Sequence, residues 1–304
     1  MAVIQYIQNK EINKAKWDHC ITESSNGLIY AYSWYLDTMS KNWDALVLND
    51  YEAVLPLTWN KKYGVYYLYQ PWFCASLGIF SGKTITEELL HEFLNAIPEK
   101  FSYIDIYLNR KNIFSIADFP MKIRNNYVLD LRQPYEQITA KYRTNLKRNI
   151  KKAGTSALEI RNDVPVKEVL ALAKQTLQRI SPIHDEEVEL FEQLYQKVQQ
   201  HQKTESIGIY LKEELLASAI FFFSHNRWYY ILAGNHPNGK TIGASHYLID
   251  RFIHTHAGEN CLLDFEGSDV RNLAYFYSSY GAIEETYPAL RMNRLPKLLR
   301  WLKD

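Results

Sequence analysis

The residues best spaced to do chemistry lie between Gly234 and Tyr280. Gly234-Asn-His-Pro-Asn-Gly239-Lys240-Thr241 satisfies G-x4-G-K-[ST], a pattern in which backbone N–H groups cradle phosphates and the lysine reaches the outer ones. Further on, Cys261-Leu-Leu-Asp264 is an apolar run ending in a carboxylate, as in strands that present an Asp to magnesium. Topology weighs against a nucleotide site. A phosphate loop normally follows the first strand of a parallel sheet and needs several βα units after it. Only 304 − 241 = 63 residues follow Thr241, room for about two units of roughly 30 residues. The strand-like runs upstream are joined by very short turns, which makes them antiparallel. An ATP- or GTP-binding protein using residues 234–241 is therefore an alternative rather than the leading expectation.

The same residues suit a second kind of anion site. A strand, a glycine turn and a helix N-terminus aim unpaired N–H groups at a pyrophosphate. Asn238, Gly239, Lys240, Thr241, Ile242 and Gly243 would form that turn, with the backbone rather than the Lys240 side chain doing the binding. In Leu262-Leu-Asp264-Phe-Glu266-Gly267-Ser268, strand alternation puts Asp264 and Glu266 on one side. That pair is either an amine-binding corner or a cap for a helix over Val270–Tyr280, with Ser268 or Asp269 as N-cap. Covalent catalysis has no support: there is no G-x-S-x-G, and Cys20, Cys74 and Cys261 have no histidine partner in sequence. His246, Asp250 and His254 recur at four-residue steps, but an exposed helix stripe gives the same spacing, and no metal site is expected.

The elements that must position these groups follow from periodicity. Ser156–Arg161 alternates like a strand, and two helical stripes follow, over Val164–Ile180 and from Val188 to Val198, with Pro182 between them. Strands over Ile207–Leu211, Leu216–Phe223 and Trp228–Ala233 lead to the glycine loop and a helix from Thr241 to His256. Leu262–Phe265 reads as a strand, Val270–Tyr280 as a helix and Glu284–Met292 as a last extended segment, giving β-α-α-β-β-β-α-β-α-β. The first half repeats that order from Ala2–Ile7 to Tyr127–Leu131. Its hairpin stretch from Leu46 overlays the one from Ile209 in pattern, though not in residue identity. Between the halves, Tyr135–Ala153 reads as one amphipathic helix, with Ile138, Tyr142, Leu146 and Ile150 on its apolar face. Lys141, Arg143, Lys147, Arg148, Lys151 and Lys152 line the other face, either as a solvated clamp between domains or as a phosphate-recognising surface.

This order, with its turn, resembles the GNAT (GCN5-related N-acetyltransferase) superfamily. There the turn reads Q/R-x-x-G-x-G/A and holds the pyrophosphate of an acyl-CoA; here Asn238 and Thr241 replace the leading residue and the first glycine, and Gly243 matches the last. Leu273-Ala-Tyr-Phe-Tyr277-Ser-Ser-Tyr280-Gly281-Ala resembles the A-x-x-F-Y-x-x-x-G-F run of those enzymes. The resemblance puts Tyr277 in the place of their general acid, a role a phenol can fill; an aromatic helix face packed on the sheet explains the same residues. Two such halves joined by Y-R-x-N-x-K-R-N-I-K-K-A, residues 142–153, resemble the Fem-type (FemAB-like) family of tandem GNAT-like acyltransferases from about Trp34 onward.

That resemblance implies an α/β (α+β) chain of two GNAT-like domains, each a mixed, mostly antiparallel sheet flanked by helices. Residues 1–132 would be structural or acceptor-binding and 133–304 donor-binding. It implies transfer of an acyl or aminoacyl group from a CoA, carrier-protein or tRNA donor to an amine, on a small molecule or a cell-wall precursor. Acyl-CoA is then a co-substrate and the only cofactor expected. Amine acylation needs a base, for which Glu266 is the candidate, and binding groups, for which Asp264, Arg143, Lys147 and Arg148 are candidates. A GNAT-like module that binds without catalysing is a further alternative.

Composition bounds these expectations. With 35 Lys+Arg against 34 Asp+Glu, the formal charge is +1 and bulk electrostatics favours neither nucleic acid nor membrane. An apolar share of 47% is that of a globular chain. Three cysteines fit a reducing cytoplasm, the expected location; no signal peptide or membrane-length apolar run is apparent. The 23 Tyr, 13 Phe and 7 Trp suit a groove or aromatic cores equally.

Overall fold

The computed structural model describes residues 3–177, 185–267, 269–296 and 300. Pro182 and Ser268 lie outside the described residues. The chain divides into two compact units, residues 1–125 with 286–304 and residues 126–285. Along the first run β1 (Ile4–Ile7), α1 (Lys14–Glu23), α2 (Ser33–Met39), β2 (Trp43–Leu48), β3 (Ala53–Lys62), β4 (Val65–Tyr69), a short β5 (Phe80–Ser81), α3 (Glu87–Asn95) and β6 (Phe101–Tyr107) lie in the first unit. Strand β7 (Met121–Asp130) then carries the chain into the second. There follow α4 (Tyr135–Ala140), α5 (Thr144–Gly154), β8 (Leu158–Asn162), α6 (Val166–Leu177), α7 (Asp185–His201), β9 (Lys203–Leu211), β10 (Glu214–Ser224) and β11 (Arg227–Asn235). Helices α8 (Pro237–Ile242) and α9 (Ala244–His256), strand β12 (Leu262–Asp264), helix α10 (Arg271–Ser278) and strand β13 (Ile283–Asn293) complete the chain.

In the first unit the strands run β1-β2-β3-β4-β6-β13, with β5 on β3; only β4 and β6 are parallel. In the second they run β7-β12-β11-β10-β9-β8, and only β11 and β12 are parallel. Each unit is thus a mixed, mostly antiparallel sheet with helices packed on it, as the sequence order implies. Central strands read as unbroken apolar runs because both faces are covered: β2 is buried throughout, as is Leu216–Phe222 in β10. Phe221 stacks on Phe252 at 3.8 Å between centroids, and Trp228 meets Phe252 edge-on, so aromatic bulk fills the second unit's core. Trp17, Tyr30 and Tyr35 are fully buried in the first. Among the described residues no helix is long and apolar enough to cross a membrane.

Three details differ from the sequence-based expectation. The helix expected over Tyr135–Ala153 is two, α4 and α5. Tyr142 turns into the core against Tyr280, and extended Arg143 gives its N–H to the Ser279 carbonyl, which breaks the helical ladder. The stretch 234–241 is not a loop but the end of β11 and a six-residue helix. The final strand β13 does not stay with the second half: Ala289–Asn293 pair with β6, and residues 286–304 belong to the first unit.

Candidate active site

An opening in the second unit's hydrogen-bond ladder comes from strand geometry. β11 and β12 pair only at Arg227–Leu262, Trp228–Leu263 and Tyr229–Asp264. β12 then ends, while β11 continues to Asn235 with β10 as its recorded partner. Within that one-sided stretch the β10–β11 register slips, Ile220 opposing Leu232 and Phe221 opposing Tyr230, so Ile231 is the extra residue of a β-bulge. A bulge takes its residue out of the ladder and re-aims its backbone groups. In the first unit the parallel pair β4–β6 is continued differently. Gln70 accepts from the Tyr107 N–H at 3.0 Å and donates to the Cys74 carbonyl at 2.7 Å, so a side chain extends the ladder beside a tyrosine-lined cavity of about 220 Å³.

Tyr277, Glu266 and Asp264 come together beside the opening. Tyr277 is buried on α10, stacked on Phe265 at 4.6 Å and edge-on to Tyr230. Burial, followed by the charges of Glu266 and Asp264, pushes its phenol well above the usual tyrosine range, so it stays protonated. Glu266 is held in the left-handed region at φ 65°, followed by Gly267 at φ 82°. A non-glycine residue there is uncommon and costs on the order of 1 kcal/mol or more, so the surrounding structure has to hold it. The Asp264 side chain helps do so by accepting the Glu266 N–H at 2.8 Å, an Asx-type turn.

Asp264 itself is bound up in the fold. It forms a buried ion pair with Arg227 and accepts from Asn126 Nδ2 at 2.9 Å; Arg227 also holds Glu285 at 3.0 and 3.1 Å. The two acids of the 262–268 stretch therefore differ in role: one is a structural ion, the other sits strained beside a protonated tyrosine. Neither caps α10, whose N-cap is Val270 without a side-chain bond.

In the turn 238–243 three backbone N–H groups are already engaged. The N–H groups of Asn238, Lys240 and Gly243 already donate to His236 Nδ1, His236 O and Gly239 O. Gly239 lies against β10, where a Cβ would sit 2.3 Å from the Leu216 carbonyl oxygen, and a Cβ on Gly234 would sit 2.8 Å from Leu172 and Ala173 of α6. Both glycines of the phosphate-loop pattern are thus packing residues. Gly243, at φ 87°, ends α8 and opens α9, and a Cβ there would sit 3.0 Å from the Asn149 carbonyl oxygen. Lys152 Nζ donates to the Thr241 carbonyl at 2.9 Å. Helix α5 packs beside the turn through Asn149 and Lys152, while Asn238, Lys240 and Thr241 stay exposed. Ile242 is half-buried against the core.

The basic residues do not form one surface. Arg143 stacks on Tyr275 at 4.6 Å and reaches Ser278 Oγ at 3.1 Å; Lys141 holds Gln133; Lys147 faces the α4 side, 3.5 Å from the Ala140 carbonyl. Arg148 is exposed. Of the four-residue stripe, Asp250 takes a bond from Tyr135, His246 packs on Phe276 and His254 on Tyr135. Among the described residues no three His, Cys, Asp or Glu converge on a point that could hold a metal ion. Sequence reasoning missed Arg227 and the Ile231 bulge. The signal for Arg227 was a lone arginine opening an apolar strand, which needs a buried acid; nothing local marks the bulge.

Residues 140–270 match the family model described as an acetyltransferase (GNAT) domain. No curated protein matches the chain in sequence. Among solved structures, FemX is similar with a TM-score of 0.64 and 11% identity over 99% of this chain and 100% of that one. A tandem GNAT protein from the clavulanic acid biosynthesis pathway gives 0.58 and 9%, covering 97% and 100%. The structure of L-PGS from Bacillus licheniformis gives 0.56 and 13%, covering 95% and 94%. The fold is therefore the tandem, Fem-type GNAT-like fold.

Proposed function

We propose that this protein is an acyltransferase that moves an acyl or aminoacyl group onto an amine at the opening between β11 and β12. The observation that carries this reading is that β12 ends at Asp264 while β11 runs on with a bulge at Ile231, with Tyr277 and Glu266 close together past that end. The amine nitrogen attacks the acyl carbon and a C–N bond forms. Backbone N–H groups of β11 near Ile231 stabilise the oxyanion. Glu266 takes the proton from nitrogen. As the C–O or C–S bond breaks, Tyr277 gives its proton to the leaving group, and Glu266 then reprotonates Tyr277. The net change is amide formation and release of an alcohol or thiol.

The N–H groups of Asn238, Lys240 and Gly243 are already engaged within the 238–243 turn, which argues against anchoring acyl-CoA there, so the donor in this reading is an aminoacyl-tRNA ester or a carrier-protein thioester. Exposed Arg148 is then a contact for the donor's phosphates, and the first unit has a structural or acceptor-binding role. Mass spectrometry of reactions pairing each donor class with a panel of amines tests this. Transfer is expected from aminoacyl-tRNA or acyl carrier protein, with none above background from acyl-CoA. Absence of transfer from every donor, with the donors still bound, would favour the non-catalytic module instead.

A further inference from the structure

A second recess in the 126–285 unit shares no residue with the opening. It is a groove of about 480 Å³ between α4, α5 and α9. Its floor is the Asp250 carboxyl, 4% exposed, which accepts from Tyr135 Oη at 2.9 Å and has no ion pair among the described residues. Beside it lies the Tyr142 hydroxyl, buried and without a hydrogen bond of acceptable geometry, although close enough to favour the carboxylate's charge. A buried carboxylate without an ion pair is costly. Burial raises the Asp250 pKa against the pull of both tyrosines and of the Arg251 and His254 charges. At the rim, Lys147 and Lys151 stand one helical turn apart on α5, with Glu136 on α4. Acid at depth and paired lysines at the mouth are complementary to a ligand of opposite polarity.

We propose that this groove binds a small zwitterion, its primary ammonium on Asp250 between Tyr135 and Tyr142 and its carboxylate or phosphate on Lys147 and Lys151. The site stands independently of the transfer reading. α-Amino acids and phosphoethanolamine share this chemistry. Titration calorimetry of the full chain would use L-alanine, L-lysine and phosphoethanolamine as probes, with ethylamine, acetate and inorganic phosphate as half-ligand controls. At least one zwitterion is expected to bind, each control at least about tenfold more weakly. Binding by the amino acids alone assigns the anion as carboxylate, and by phosphoethanolamine alone as phosphate. Replacing Lys147 and Lys151 with Ala, on exposed positions that leave the core intact, should weaken binding about tenfold or more. Asp250→Asn should abolish it, with circular dichroism checking the fold. No zwitterion binding at about 10 mM, or affinity unchanged in the double lysine variant, would overturn the proposal.

Discussion

In the proposed reaction Tyr277 and Glu266 are neighbours with opposite tasks, and their surroundings set which does which. Removing only the hydroxyl, in Tyr277→Phe, keeps the ring on Phe265, so stability should stay within about 1 kcal/mol. If the hydroxyl is the general acid, kcat should fall roughly 10²-fold or more. The sign of the pH effect follows from the upward shift: an acid that must be protonated stays so to higher pH when its pKa rises. The wild-type rate should therefore not decline as pH passes the ordinary tyrosine value near 10, and the Phe variant should be uniformly slow. Stopped-flow or discontinuous pH–rate profiles check both; a basic limb at the ordinary phenol pKa would contradict the assignment. The sequence nominates Tyr277 through a known run and Glu266 through a strand's alternation; the fold brings the two side chains near each other, and the pH–rate profile tests their roles. Asp264 was misjudged, since alternation gives the side of a strand but not the arginine waiting there.

Among the elements, the glycine-rich stretch makes the sharpest contrast between pattern and packing. As a string it is a phosphate loop; in the fold its glycines admit β10 and α6, and Lys240 points to no phosphate cradle. Gly239→Ala would press a methyl on the Leu216 carbonyl and should destabilise by about 1–3 kcal/mol, whereas exposed Lys240→Ala should stay within about 0.5 kcal/mol. Chemical denaturation of both variants, with nucleotide-binding assays alongside, tests this. A phosphate loop predicts the reverse, with Lys240→Ala losing ATP affinity. Element order and type were readable because apolar periodicity is local. The break at Tyr142–Arg143 was not, because it depends on Tyr280 and on the Ser279 carbonyl, far along the chain.

On the scale of the whole molecule, the halves of the sequence are not the halves of the fold. A boundary at 132/133 follows from the repeat of pattern, but pairing partners are not written in a strand's own residues. Val128–Asp130 of β7, from the first half, pair with β12 and so flank the strand that bears Asp264. Ala289–Asn293 of β13, from the second half, pair with β6, and Leu290 is fully buried in the first unit's core. Ending the chain at Glu285 should thus injure the unit that begins at residue 1 and largely spare the one that precedes the cut. Loss of Leu290 alone should cost about 2–5 kcal/mol, and the unpaired edge of β6 should exchange its amide hydrogens faster. Hydrogen-exchange mass spectrometry of the full and shortened chains is the measurement. Protection should fall across Phe101–Tyr107 and stay within error across β10 and β11. Equal loss in both units would mean that the last strand supports the molecule as a single cooperative body.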